Sequence, residues 1–251
     1  MTEIKNISAS YGKTSVLEGL SLCVKKGQLI CIAGKNGSGK STLLKAIAGF
    51  LPLTKGDILV DGKSICDMTP REAAQKITYL AQSRSIPEMT VEQLVLHGRF
   101  PHLSYPRKYS ERDREIAREA MKKTGVLKFC DKHLSALSGG MRQNAYIAQA
   151  LTQDTDYILL DEPATYLDAA SGIGLMNMLN TLKNEGKGII TVMHDLPLAF
   201  TFCDSVAVIE DKTVSICDTP ENICKNGHTQ KLFGAEILFC DEDKTYRYKY
   251  N

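Results

Sequence analysis

Four short apolar runs stand out from the mixed background of this chain, and each stops at a residue able to do chemistry. Leu29-Ile30-Cys31-Ile32-Ala33 runs into Gly34, and Lys76-Ile77-Thr78-Tyr79-Leu80-Ala81 stops at Gln82. Tyr157-Ile158-Leu159-Leu160 ends on Asp161-Glu162, and Gly188-Ile189-Ile190-Thr191-Val192-Met193 delivers His194-Asp195. Continuous apolar runs of this length, bounded by polar punctuation, predict buried strands. Residues 4–22 read as two strands around a turn at Gly12-Lys13. Residues 57–60 read as a strand entering a hairpin turn at Asp61-Gly62-Lys63.

Helical spacing fills the intervals. Leu43-Leu44-Lys45-Ala46-Ile47-Ala48 opens a helix that Gly49-Phe50-Leu51-Pro52 stops, and Thr69-Pro70 begins a short one. From Ser83 onward the alternation of strand and helix gives way to helices alone. Thr90 opens residues 90–96, and Ser110 caps a charged helix over 111–124 whose Ile116, Ala117 and Ala120 keep helical spacing. A Pro- and aromatic-rich loop over 100–106 separates them, and a further helix is expected over 143–151. Residues 83–153 therefore read as a helical insertion in an α/β core. The core resumes with a helix over 169–183, a hairpin pair at 205–210 and 213–217, a helix near Thr219-Pro220-Glu221, and strands around Ile237 and Tyr246.

The 251 residues could form one large or two modest domains; 43% are hydrophobic, 24% charged, and the net charge is +2. That is an ordinary globular balance, with no basic run to suggest nucleic acid. None of the 8 Cys forms a C-x-x-C pair, so neither a zinc ribbon nor a redox motif is indicated and free thiols are expected. Cys23, Cys31 and Cys203 fall in apolar runs and are expected to be buried. The first residues lack the charged and apolar regions of a signal peptide, and no apolar run approaches the roughly 18 residues of a membrane span. Any membrane role is expected to come through a partner.

The chemistry begins at Gly34-Lys35-Asn36-Gly37-Ser38-Gly39-Lys40-Ser41-Thr42, which fits the phosphate-binding loop G-x-x-x-x-G-K-[ST] between a strand and a helix. Glycines let the backbone wrap an anion, and its N–H groups and the helix N-terminus face the β-phosphate. Lys40 adds charge to the β- and γ-phosphates, and the Ser41 hydroxyl suits Mg²⁺. An apolar strand ending in acid completes such a site. Asp161 can hold Mg²⁺ through water, and Glu162 can take a proton from an attacking water. His194 ends the next buried strand, where α/β sheets gather ligands. Leu137-Ser138-Gly139-Gly140-Met141-Arg142-Gln143 reads as a capped helix start, and so as an anion site. Tyr11 reads either as a half-buried strand residue or as a ring that stacks on a nucleobase.

In their order along nearly the whole chain, these motifs resemble the ATP-binding cassette (ABC) ATPases, the motor subunits of ABC transporters. Residues 34–42 resemble Walker A, Gln82 the Q-loop, 137–143 the LSGGQ signature, 159–162 Walker B, 163–168 the D-loop and His194 the switch histidine. The resemblance implies one cassette over 1–251. Its P-loop core has a RecA-like mixed sheet and an antiparallel β subdomain (1–82 plus 154–251), and 83–153 form the helical subdomain. It implies ATP and Mg²⁺ as cofactors, Tyr11 and Val16 beside the adenine, and Glu162, His194 and Gln82 as catalytic residues, with Gln82 also sensing the metal. It implies a head-to-tail homodimer in which Ser138, Gly139, Gly140 and Met141 reach the partner's ATP and Asp168 links the two sites. Met141 departs from the usual Gln or Glu, Asn144 and Gln149 from common basic residues, and Ala164 from the usual hydroxyl.

The runs Thr90-Val91, His97-Gly98-Arg99-Phe100-Pro101-His102, Asp113-Arg114-Glu115-Ile116 and Lys231-Leu232-Phe233-Gly234-Ala235 resemble importers of ferric siderophores, haem and cobalamin. That implies permease subunits in the membrane, an extracytoplasmic binding protein that hands over the chelate, and a peripheral position on the cytoplasmic face of a prokaryotic membrane. The alternative is a cassette without transport, such as an iron–sulfur assembly subunit. A nucleic-acid clamp would need a long coiled coil and a basic stripe, and a GTP switch would need Asn-Lys-x-Asp.

Overall fold

A computed structural model describes residues 1–82, 86–225 and 228–249. Strands β1 (Thr2–Tyr11) and β2 (Thr14–Val24) form a hairpin, and β3 (Leu29–Ala33) leads through the glycine-rich loop into α1 (Lys40–Ile47). β4 (Lys55–Val60), β5 (Lys63–Ser64), α2 (Pro70–Lys76) and β6 (Ile77–Leu80) follow. Three helices come next, α3 (Val91–His97), α4 (Glu111–Lys123) and α5 (Gly139–Thr152). The chain then alternates through β7 (Tyr157–Asp161), α6 (Ala169–Asn184), β8 (Gly188–Val192), α7 (Leu196–Phe202) and β9 (Ser205–Glu210). It closes with β10 (Thr213–Asp218), α8 (Pro220–Lys225), α9 (His228–Phe233) and the hairpin β11 (Ile237–Cys240) and β12 (Thr245–Tyr248).

The central sheet has six strands in the order β10-β9-β3-β8-β7-β6, parallel except for β10. A second, antiparallel sheet runs β2-β1-β4-β5. Asp61 and Gly62 both take positive φ, 49° and 84°, in the two-residue turn that joins its last strands.

Two hydrophobic cores lie on opposite faces of the central sheet. Leu29, Cys31 and Ala33 of β3 point into one, with Leu175, Met176 and Leu179 of α6 and Ala199 of α7. Ile30 and Ile32 point into the other, with Leu43, Leu44 and Ile47 of α1 and Ile4, Leu20 and Ile58 of the antiparallel sheet. Burial on both faces is why these strands read as unbroken apolar runs. Cys23, by contrast, is exposed. In β2 the inward positions are Leu20, Leu22 and Val24, so period-two alternation turns Cys23 to the other face.

Between residues 86 and 152 the described regular elements are helices, of which α3 to α5 each open on a hydroxyl cap. Thr90 and Ser110 form capping boxes with Gln93 and Asp113, and Ser138 Oγ accepts from the Met141 amide. The expected start of this block, residue 83, lies outside the described residues. The signature helix begins at Gly139 rather than at 143. The Ser138 cap recruits two glycines into the first turn despite their poor helix propensity.

The His97-to-His102 run has a structural meaning that its sequence did not disclose. A Cβ on Gly98 would lie 2.3 Å from the Gln149 carbonyl, so only glycine lets α3 end against α5. Arg99 is buried, with Nε 2.8 Å from Asp113 Oδ1, and it also donates to the Thr152 carbonyl. Burial tends to raise Asp113, but donors on Ser110 and Arg99 prevail and bring it to about 2. This depressed carboxylate stabilises the fold above the ordinary Asp range near pH 4, and the contribution disappears as pH falls through about 2. Arg99→Ala strands a buried charge and should cost about 3 kcal/mol of unfolding free energy in urea titrations at pH 7. A change too small to measure would mean that the pair does not hold the three helices together.

Candidate active site

Four parallel strands deliver their carboxyl ends to one cleft. β3 opens into the glycine-rich loop, β7 ends on Asp161 beside Glu162, β8 precedes His194, and β6 precedes Gln82. The cleft encloses about 350 Å³ and is lined by Val16, Asn36, Gly37, Gly39, Lys40, Ser41, Thr42, Gln82, Glu162 and His194.

The loop is built for close approach. Gly34 has φ +148°, and a Cβ there would sit 2.5 Å from the Ile209 carbonyl; at Gly39, φ +102°, it would press on Leu17. Lys40 is buried, and its Nζ donates to the carbonyls of Gly34 at 2.8 Å and Lys35 at 2.9 Å. Burial pulls this ammonium below the usual lysine value, against the opposing pull of Glu162 and Asp161. Ser38 Oγ is buried without a hydrogen-bond partner among the described residues. A buried cation and an unpaired hydroxyl beneath a ring of loop amides fit an anion such as a polyphosphate.

Ser41 Oγ donates to Asp161 Oδ1 at 3.1 Å, and the Tyr79 hydroxyl donates to Oδ2 at 3.2 Å. Burial raises the Asp161 carboxyl above the usual range, the two hydroxyls oppose the shift, and neighbouring Glu162 adds to it. A buried carboxylate that resists ionisation, paired with a hydroxyl oxygen, is a donor set that suits a hard divalent cation.

Glu162 takes φ +51°, unusual outside glycine, while its amide donates to Val192 O at 3.2 Å. Its Oε1 lies 2.6 Å from His194 Nε2, and its Oε2 accepts from Gln82 Nε2 at 2.6 Å. His194 donates across this contact only in the form that carries a proton on Nε2. The three residues expected to be catalytic thus meet in one hydrogen-bonded group.

The other expected residues lie outside this group. Tyr11, 47% exposed at the end of β1, does not line the cleft, whereas Val16 does. Ser138, Gly139 and Met141 are exposed and also do not line it. Gly139 instead borders a separate cavity of about 270 Å³ with Gln82, Arg142, Gln143 and Tyr166. Asp168 Oδ1 accepts from the Ser171 amide at 2.7 Å, capping α6. Sequence reasoning did not single out Tyr79, which alternation in β6 could have aimed at Asp161. Nor did it find the Gln143 amide, 2.6 Å from the Pro163 carbonyl, or Thr165 beside Glu162.

A family model described as ABC transporter matches residues 17–165. The chain is 40% identical over 236 residues to the petrobactin import ATP-binding protein FpuD of Bacillus anthracis, covering 93% of this chain and 86% of that protein. It is 32% identical to the ferric enterobactin transport ATP-binding protein FepC of Escherichia coli, over 95% of this chain and 89% of that one. Among solved structures, the dimeric bacterial ABC transporter cassette MJ0796 aligns with TM-score 0.78 and 29% identity, over 88% of this chain and 99% of the other. The ADP conformation of the cassette MJ1267 aligns with TM-score 0.82 and 25% identity, over 93% and 98%.

Because burial penalises the ionised form of Asp161, Asp161→Asn should raise the melting temperature of the ligand-free protein at pH 7.5. If Asp161 holds a divalent cation, the variant should also lose any extra stabilisation that such a cation adds with nucleotide, read by thermal shift. An Asn variant that melts lower and still responds to the cation would contradict this account of Asp161.

Proposed function

This chain belongs to the ABC transporter family, and from that premise we propose that it is the ATP-hydrolysing subunit of an importer for ferric siderophores or a related metal chelate such as haem or cobalamin. The observation that carries the reading is its near-full-length similarity to import ATP-binding subunits, 40% identical in the petrobactin case. The cleft has the parts the reaction needs. Loop amides and Lys40 bind the phosphates, with Val16 toward the adenine; Tyr11 lies outside the cleft's lining and would have to turn its ring toward the base to stack on it. Glu162 accepts a proton from the attacking water as that water's oxygen bonds to the γ-phosphorus and the bond to ADP breaks. His194 and Gln82, both already bonded to Glu162, hold water and γ-phosphate in line. Ser41 and Asp161 would hold Mg²⁺, whose charge, when bound, neutralises the β- and γ-oxygens. The helical block, over the described residues 86–153, would be the subdomain that carries the signature.

In this reading each site is completed by a second copy. The start of α5, with Ser138 and Gly139 exposed, is an outward-facing helix N-terminus, and it would meet the γ-phosphate held by the partner's loop. The dimeric MJ0796 cassette supports such an assembly. No helix among the described residues is long and apolar enough to cross a membrane. From its likeness to import ATP-binding subunits, the chain would work from the inner face through permease subunits. A groove of about 490 Å³ between α2 and the end of α3 would take their cytoplasmic segment; it is lined by Phe50, Met68, Tyr79, Phe100 and Pro101. Phe50 is 70% exposed there, a large apolar ring left in solvent.

Glu162→Gln keeps the side chain's shape but removes the base. ATP hydrolysis in the assembled complex should fall by about 10³-fold while ATP binding persists; a wild-type rate would remove Glu162 from the role. Phe50→Glu should reduce co-purification with a membrane-embedded permease without changing ATP affinity. A stable soluble complex with iron–sulfur assembly proteins, and none with a permease, would favour the non-transport alternative.

A further inference from the structure

We propose that Thr165 is a positioning residue for Glu162, a step that rests on the reading of Glu162 as the general base. Glu162, Pro163, Ala164 and Thr165 make a tight turn off the end of β7, in which the Thr165 amide donates to the Glu162 carbonyl at 3.4 Å. The Thr165 hydroxyl lies 3.1 Å from that same carbonyl and 3.3 Å from Glu162 Oε2, so one proton is shared between the backbone and the carboxylate of a single residue. On the far side of the turn, the buried Gln143 amide of α5 holds the Pro163 carbonyl at 2.6 Å. These bonds pin a residue whose φ of +51° a non-glycine side chain resists.

The other two partners of the carboxylate are of a different kind. Gln82 and His194 come from other strands, and in turnover both have phosphate and water to engage. Thr165 sits on the turn that bears Glu162, so its hydroxyl reaches the carboxylate without depending on another strand. Ala164, the position before it, offers no hydroxyl, so within the turn this work falls to Thr165. Thr165 is exposed and packs in neither core. An exposed threonine without such a duty tolerates substitution with little effect.

The test compares Thr165→Ala, Thr165→Val and Thr165→Ser with wild type in steady-state ATP hydrolysis, with melting temperatures recorded for each. The Ala and Val variants should lose about tenfold in kcat, with KM for ATP within about twofold of wild type, because the base is misplaced while the nucleotide pocket is untouched. Ser should restore kcat, since only the hydroxyl matters. Combining Thr165→Ala with Glu162→Gln should cost nothing beyond Glu162→Gln alone, because both act through one group. Wild-type kcat in the Ala and Val variants would overturn the proposal, as would a loss that Ser fails to rescue or that appears mainly in KM. If Glu162→Gln itself hydrolysed at the wild-type rate, the base reading would fall instead, and the two failures are distinguishable.

Discussion

Everything in this molecule depends on burying the central strands on both faces. β3, β7 and β8 are buried along their whole length and almost entirely apolar because two cores press on them, one built on α1, α2 and the antiparallel sheet, the other on α3 to α7. A strand so enclosed can place a charge only where it emerges. Parallel pairing aligns those exits, so Asp161 comes level with Val192 of β8, and Glu162 follows beside His194. The Gln82–Glu162–His194 group proposed to be catalytic is thus the first set of polar side chains past the edge of a dry sheet. Its cost appears where ionisable groups sit just inside that edge: burial lowers Lys40 and raises Asp161. An anion and a cation bound together would relieve both.

The helical block is organised by a different interaction. A buried Arg99–Asp113 pair, one capping carboxylate shared with Ser110, and a glycine that admits α5 bind its helices into a unit. Gly98, Phe100 and Pro101 also border the groove proposed for the permease. The same short run therefore stabilises the block and shapes its docking face. α5 joins both functions. Its N-terminus carries the glycines that would cap a neighbour's nucleotide, and its buried Gln143 grips the turn that holds Glu162, the proposed base.

Much of this was legible in the sequence because strand ends and loop glycines leave strong local signals. The unbroken apolar runs disclosed which strands are buried, and the residues that follow them meet in one cleft. What was missed depends on side-chain direction or on distant packing. Cys23 lies in an apolar run yet points outward, since alternation rather than hydrophobicity decides its face. The signature helix begins four residues early because a serine cap outweighs two glycines. Arg99 and Gln143 look like surface residues in one dimension; Arg99 is buried where α3, α4 and α5 meet, and Gln143 against the turn after β7. Thr165 gave no signal, because a hydroxyl three residues past a carboxylate is common, and only the positive φ of Glu162 folds it back.

The central claim is that a cleft on one chain is completed by the serine-capped, glycine-bearing helix start of another. It is tested most directly by mixing two inactive proteins, one carrying Lys40→Ala and the other Ser138→Arg. In a mixed pair, one of the two clefts joins an intact phosphate loop to an intact α5 N-terminus. The account predicts that the mixture regains ATP hydrolysis that neither protein shows alone. A mixture that forms mixed pairs, yet stays as inactive as its components, would contradict it.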